Sequence, residues 1–205
     1  MTRVARRKRH QDHFGQKARR EGYAARSVYK LQEIDRRVGL LRRGARVLDL
    51  GAFPGSWTSY AAERVAPEGK VRGYDLTAFR GALPTNAEIR QADVFALSIE
   101  ELGGAGSWDV VMSDMAPSTS GHRFTDQARS EALVMRALEL AVAVLAPGGA
   151  FLAKIFQGGD FPAVKKAIAA HFEEVRVVRP AAVRSESIEV FLVAKGFAPA
   201  SAPRD

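Results

Sequence analysis

The chain has 205 residues, 46% hydrophobic and 26% charged, a globular balance long enough to bury the core of one domain. It contains no cysteine, which excludes disulfides and cysteine-based zinc or iron–sulfur sites, and its four histidines (His10, His13, His122, His171) lack metal-ligand spacing, so no metal is expected. The net charge of +8 sits in residues 1–30, where ten Lys/Arg face two acids; residues 31–205 hold twenty-one of each. Such a leader suits phosphate neutralisation, although charge alone does not separate that role from a solvated basic tail. The opening MTRVARRKRH has no apolar stretch of the kind a secretory signal needs, and no run of eighteen apolar residues follows, so a cytoplasmic protein is expected.

Ser27 is placed to cap a helix with Val28, Leu31, Ile34 and Val38 on one stripe, ending near Gly39 or Gly44, with Lys30 on its flank. The run ARVLDLGAFPGSW reads as a buried strand, a glycine turn and a helix start, with Trp57–Val65 as the helix and APEGK as its exit. Lys70–Asp75 is a second strand and Glu88–Ala92 a third, separated by loop. Trp108–Asp114 (WDVVMSD) reads as a central parallel strand whose end faces a crevice. Asp126–Leu145 is a helix with Ala128, Leu133, Ala137, Leu140 and Val144 on one side, closed by APGG; Ala150–Phe156 is a strand and Phe161–His171 a helix. Val175–Arg179 and Glu189–Lys195 leave no room for a crossover helix between them, so they are expected to pair antiparallel at a sheet edge. The alternation predicts a doubly wound α/β sheet of seven strands, mostly parallel with an antiparallel last strand, and ligands outside the carboxyl ends of its strands.

The turn from Asp49 to Gly55 lets the backbone approach a ligand closely, but it is not a pyrophosphate fingerprint: its glycines are four apart and Pro54 has no amide hydrogen. It suits a ligand without phosphates, such as S-adenosylmethionine. Asp75, at the end of the second strand, is placed to accept hydrogen bonds from ribose hydroxyls, and Asp93, after the third, to meet an adenine amino group; either alone is equally well a turn cap. The expected cofactor set is Asp49, Gly51, Pro54, Gly55, Trp57, Asp75, Asp93 and Asp114, with Trp57, like Phe156, also readable as a packing residue.

Five stretches, RSVYKLQEID, DLGAFPGSW, VVMSDMAPSTSG, GGAFLAKIFQG and SIEVFLVA, carry a resemblance from Phe14 to Gly196 to the FtsJ/RrmJ family of RNA 2′-O-methyltransferases. The resemblance implies a Rossmann-like S-adenosylmethionine-dependent methyltransferase fold and a Lys-Asp-Lys-Glu catalytic set, met here by Lys30, Asp114, Lys154 and Glu189. Methyl transfer from a sulfonium requires that a weakly acidic ribose hydroxyl be positioned and deprotonated. Burial and a neighbouring ammonium both favour a neutral lysine, so a Lys30/Lys154 pair is a way to make a base or to stabilise the alkoxide, with Lys154 the expected base and the two acids orienting the ammoniums. Taken singly, Lys30 reads as a solvated lysine, Asp114 as a strand cap and Glu189 as an edge guard. Lys154 is harder to set aside, because it interrupts the apolar strand FLAKIF.

Two departures from the family pattern stand out: Ser56 replaces a usual glycine and is expected to be tolerated, and Arg184 is the only arginine left before Glu189 in a loop commonly richer in them. The resemblance implies a uridine of the A loop of large-subunit ribosomal RNA as target, ribosomal RNA within the large subunit as partner, no membrane, and action as a monomer. The chain is read as a basic extension for RNA contact (1–25), a methyltransferase domain (26–197) and a flexible tail (198–205). A non-catalytic RNA-binding assembly factor, another RNA target, or methylation of a base amine or small molecule stays open, although no aromatic residue adjoins Pro117 to hold a flipped base.

Overall fold

The structure, a computed structural model, describes residues 14–118, 120–158, 160–184 and 187–199. The basic segment 1–13 and residues 200–205 of the expected tail lie outside the described residues. The elements are α1 (Val28–Val38), β1 (Arg46–Leu50), α2 (Ser56–Val65), β2 (Lys70–Asp75), β3 (Ala87–Gln91), β4 (Trp108–Ser113), α3 (Arg123–Val144), β5 (Leu145–Phe156), α4 (Phe161–Ala169), β6 (Phe172–Val178) and β7 (Glu189–Phe197).

In α1, Val28, Leu31 and Ile34 recur every three residues and are all buried, as one face of a 3.6-residue helix demands. Gly39 then takes φ +59°, a left-handed conformation open to glycine at little cost, and its N–H donates to Asp35 O to stop the helix. Ser27 occupies the cap position without a side-chain cap bond; its carbonyl instead accepts from Lys30 N and from Trp57 Nε1.

The strands form one sheet in the order β3-β2-β1-β4-β5-β7-β6. Neighbours from β3 to β5 are parallel, while β7 runs antiparallel to both β5 and β6, which makes β6 the outermost strand on that side. This is the expected doubly wound α/β sheet. Side chains alternate across it. Phe151, Ala153 and Ile155 of β5 join the core that contains α3 residues Ala137, Leu138 and Ala141, whereas Ala150 and Leu152 join the core under α1 and α2 with Leu31, Ile34 and Trp57. Among the described residues no helix is long and apolar enough to cross a membrane.

Two boundaries differ from the sequence reading for identifiable reasons. Strand β5 begins at Leu145, because Leu145 pairs with Trp108 before the register jumps to Val110 and Ala150; the APGG stretch is an irregularity inside the strand. Helix α3 begins at Arg123, and Ala128 is exposed rather than on the buried stripe. Its first turns meet polar strand-end groups instead of core: Gln127 Nε2 donates to Gln157 O (2.6 Å) and Phe156 N donates to Ser130 Oγ (3.0 Å).

Residues 14–20 are helical and cover the outer side of α1, with Ala18, Val28, Tyr29 and Ala182 forming a small buried cluster joined by Phe14. Ala25 N donates to the buried Ser56 Oγ at 2.7 Å, so the serine in place of a usual glycine anchors this segment to the start of α2.

Candidate active site

The carboxyl ends of β4 and β5 and the start of antiparallel β7 lie at the same end of the sheet, since Phe156 pairs with Glu189 and Lys154 with Phe191. Lys154 continues the alternation of Ala150 and Leu152, and Glu189 that of Phe191 and Val193, so both fall on the face covered by α1 and α2. Lys30 reaches the same place from α1. Its ammonium pairs with Glu189 Oε1 and lies 5.9 Å from the centre of the Phe191 ring. Lys154 Nζ donates to Asp114 Oδ1 at 2.8 Å and also to the Asp114 main-chain oxygen. Its side chain is only 7% exposed, and a buried ammonium persists only with such partners. Four residues separated by up to 159 positions thus form two ion pairs, one with Lys30 near the Phe191 ring and the other with Lys154 opposite Phe191 in the β5–β7 register.

Two cavities open beside this cluster. One, of about 370 Å³, is lined by Arg26, Ser27, Lys30, Arg184, Ser187 and Glu189. The other, of about 460 Å³, is bounded by Gly51, Asp75, Asp93, Asp114 and Met115, with apolar walls from Phe53, Leu76, Phe95 and Leu133. Asp114 belongs to both the second cavity and the Lys154 pair. A larger space of about 650 Å³ lies among Arg46, Lys70, Arg72 and Trp108, at the opposite ends of the strands.

The glycine turn owes its shape to close contact. Gly51 has φ +82°, and a Cβ there would come within 2.5 Å of Met115 Cγ. Asp75 and Asp93 are held as turn caps as well as lining the cavity: Asp75 accepts from Phe53 N (3.0 Å) and Thr77 N (2.7 Å), Asp93 from Phe95 N (2.9 Å). Asp49 lies behind the turn, fully buried. Its Oδ2 accepts from Thr58 Oγ1 at 2.6 Å, whereas Oδ1 has no hydrogen-bond partner among the described residues. Burial first, then the nearby Asp114 and Asp75 charges, push the Asp49 carboxyl up to about 7 against the lowering effect of the Thr58 bond.

Four residues of the expected cofactor set, Asp49, Pro54, Gly55 and Trp57, do not reach the cavity wall. Pro54 and Gly55 form the back of the turn, with Gly55 against Phe79. Trp57 is buried 5.8 Å from Phe191, donating its Nε1–H to Ser27 O at 3.0 Å, so it supports the floor beneath Lys30. Conversely, Met115, Tyr74, Thr77 and Leu133 line the cavity without having been singled out in the sequence, because ordinary apolar and turn residues carry no chemical signature. Arg179 was also missed: its guanidinium donates to the carbonyls of Ser187 (2.6 Å), Arg184 and Glu189, shaping the loop that leads into Glu189.

A family model described as FtsJ-like methyltransferase matches residues 23–197. The chain belongs to this family. Two relatives of this FtsJ-like methyltransferase carry the name ribosomal RNA large subunit methyltransferase E: one from Sorangium cellulosum, 52% identical over 182 residues (89% of this chain, 86% of the relative), and one from Oleidesulfovibrio alaskensis, 49% identical over 193 residues (93% of each). A crystal structure from Plasmodium falciparum, described as a ribosomal RNA methyltransferase, shares the fold with a TM-score of 0.74 at 24% identity, over 85% of this chain and 98% of that one. As an FtsJ-like methyltransferase, the chain presents a carboxylate-lined cavity joined through Asp114 to Lys154.

Proposed function

We propose that this chain transfers a methyl group from S-adenosylmethionine to a ribose 2′-hydroxyl of ribosomal RNA, with a uridine of the A loop in the large subunit as the target. The observation that carries the reading is the double role of Asp114, which lines the 460 Å³ cavity and holds Lys154 at 2.8 Å. The names of the curated relatives support the RNA class, and the FtsJ/RrmJ resemblance supports the 2′-oxygen.

The cavity suits the cofactor. Among the described residues it is lined by three carboxylates, Asp75, Asp93 and Asp114, and by no lysine or arginine, which disfavours a phosphate ligand and favours a cationic one with an apolar ring system. The Gly51 turn, where an added Cβ would strike Met115, keeps the backbone low beside the cavity. Asp75 is positioned for ribose hydroxyls and Asp93 for an adenine amino group, while Asp49, Gly51, Pro54, Gly55 and Trp57 shape or support the turn. Bound S-adenosylmethionine supplies an electrophilic methyl group and carries its own leaving group.

The protein's share is to position and deprotonate the acceptor. Lys154 Nζ, fixed by the side chain and carbonyl of Asp114, first gives up one ammonium proton to solvent and then, as the neutral amine, takes the proton of the 2′-hydroxyl as the oxygen attacks. Lys30, oriented by Glu189 and 5.9 Å from the centre of the Phe191 ring, stabilises negative charge on that oxygen. The cavity with Arg26 and Arg184 flanks Lys30 and suits the phosphate on one side of the acceptor nucleotide. The basic extension 1–25 adds contacts to RNA phosphates, and the reading carries with it a cytoplasmic location and action as a monomer.

Labelled S-adenosylmethionine and undermethylated large ribosomal subunits test this. Digested product RNA is expected to yield a 2′-O-methyl nucleoside, and Lys154→Ala to lower kcat by about a hundred- to ten-thousand-fold with cofactor affinity retained. Label on a base, or an unaltered rate in the variant, refutes the assignment.

A further inference from the structure

Among the exposed large apolar side chains, Phe53, Leu76 and Phe95 line the cavity beside Asp75, which accounts for them. Phe124 has no such explanation. It is 81% exposed, more than any other large apolar residue described, and it is the second residue of α3. A benzyl group left in water adds little to folding, so its place calls for another reason.

The start of α3 is fixed at the catalytic end of the sheet. The Gln127–Gln157 and Ser130–Phe156 hydrogen bonds tie its first turns to the residues just after Lys154. Ser120 donates through both N and Oγ to Asp126 Oδ1, each at 2.8 Å, which closes the stretch following Asp114 back onto the helix. Phe124 therefore stands on the rim of the end that carries Asp114 and Lys154, yet lines neither cavity there. Arg123 adjoins it in the chain and Arg129 lies further along the same helix, while the carboxylate of Asp126 is turned to Ser120, from which it accepts two hydrogen bonds.

An exposed aromatic face at the rim of a catalytic cleft, with an arginine next to it in the chain, is the chemistry by which proteins grip unpaired nucleotides: bases stack on the ring and phosphates meet the cation. We infer that Phe124 is a stacking platform for a nucleobase of the RNA segment that carries the acceptor ribose. This rests on the RNA reading proposed above and adds to it a residue that grips the strand without touching the reacting atoms.

The test uses the full chain, labelled S-adenosylmethionine and undermethylated large ribosomal subunits. Phe124→Ala is expected to raise KM for the particles by roughly tenfold, as for one lost base–aromatic stack, with kcat, cofactor affinity and Tm unchanged. Phe124→Trp restores the wild-type KM, Phe124→Leu does not, and Met135→Ala, which trims another exposed apolar side chain of α3, has no effect. If Phe124→Ala keeps the wild-type KM, or leucine rescues as well as tryptophan, the stacking role fails while the functional reading stands. A wild-type chain that transfers no methyl to ribosomal RNA overturns that reading and this inference with it.

Discussion

Asp49 shows how one buried group makes the turn sensitive to pH. In an unfolded chain an aspartate releases its proton near pH 4, whereas the buried Asp49 holds it up to about 7. Within that window the folded state binds a proton that the unfolded state has lost, so stability declines as pH rises from about 4 to about 7 and levels off above. Asp49→Asn removes this titration, whatever constant offset the amide adds. Urea unfolding at pH values from about 5 to about 8 should show the wild type losing ground to the variant as pH increases; parallel curves would show that Asp49 does not titrate there. Of the residues nearest the chemistry, Lys154 was the most legible in the sequence, because a charge inside an apolar strand has few explanations. The role of Ser56 was not, since its hydrogen bond goes to Ala25, a partner that only the folded chain brings near.

Helix α1 delivers Lys30, and a single carboxylate sets its angle. Buried Asp35 accepts from Leu41 N at 2.8 Å through one oxygen, and from Tyr60 Oη at 2.9 Å and Arg64 Nε at 3.1 Å through the other, joining the helix to α2 and to the loop that follows. Asp35→Ala strands a buried backbone donor and a hydroxyl, and is expected to cost about 3 kcal/mol in chemical denaturation, with Asp35→Asn costing less because one oxygen remains. Gly51→Ala acts on the turn after β1. The left-handed backbone alone costs about 1–2 kcal/mol, the contact with Met115 adds to it, and calorimetric titration should show weakened cofactor binding. At this scale the elements were legible from periodicity and punctuation, including the antiparallel pairing of β6 and β7. The early start of β5 was not legible: APGG carries the composition of a turn, and only the Trp108–Leu145 pairing across the sheet draws it into a strand.

The net +8 of the whole molecule is confined to residues 1–30, with an electrically balanced remainder. Replacing Arg6, Arg7, Lys8 and Arg9 by alanine should weaken RNA binding and flatten its dependence on salt, by roughly 3 units of slope if each contacts one phosphate, without altering cofactor affinity; an unchanged slope rules out the leader as a clamp. The convergence of Lys30, Asp114, Lys154 and Glu189 on one end of the sheet follows from the direction of β7. A parallel strand beside β5 would begin at the far end of the sheet, whereas an antiparallel one begins where β5 finishes and so sets Glu189 opposite Phe156. One strand therefore has two tasks: without residues 189–197 Lys30 would lose its carboxylate and β5 would be left with a bare edge open to pairing with another chain.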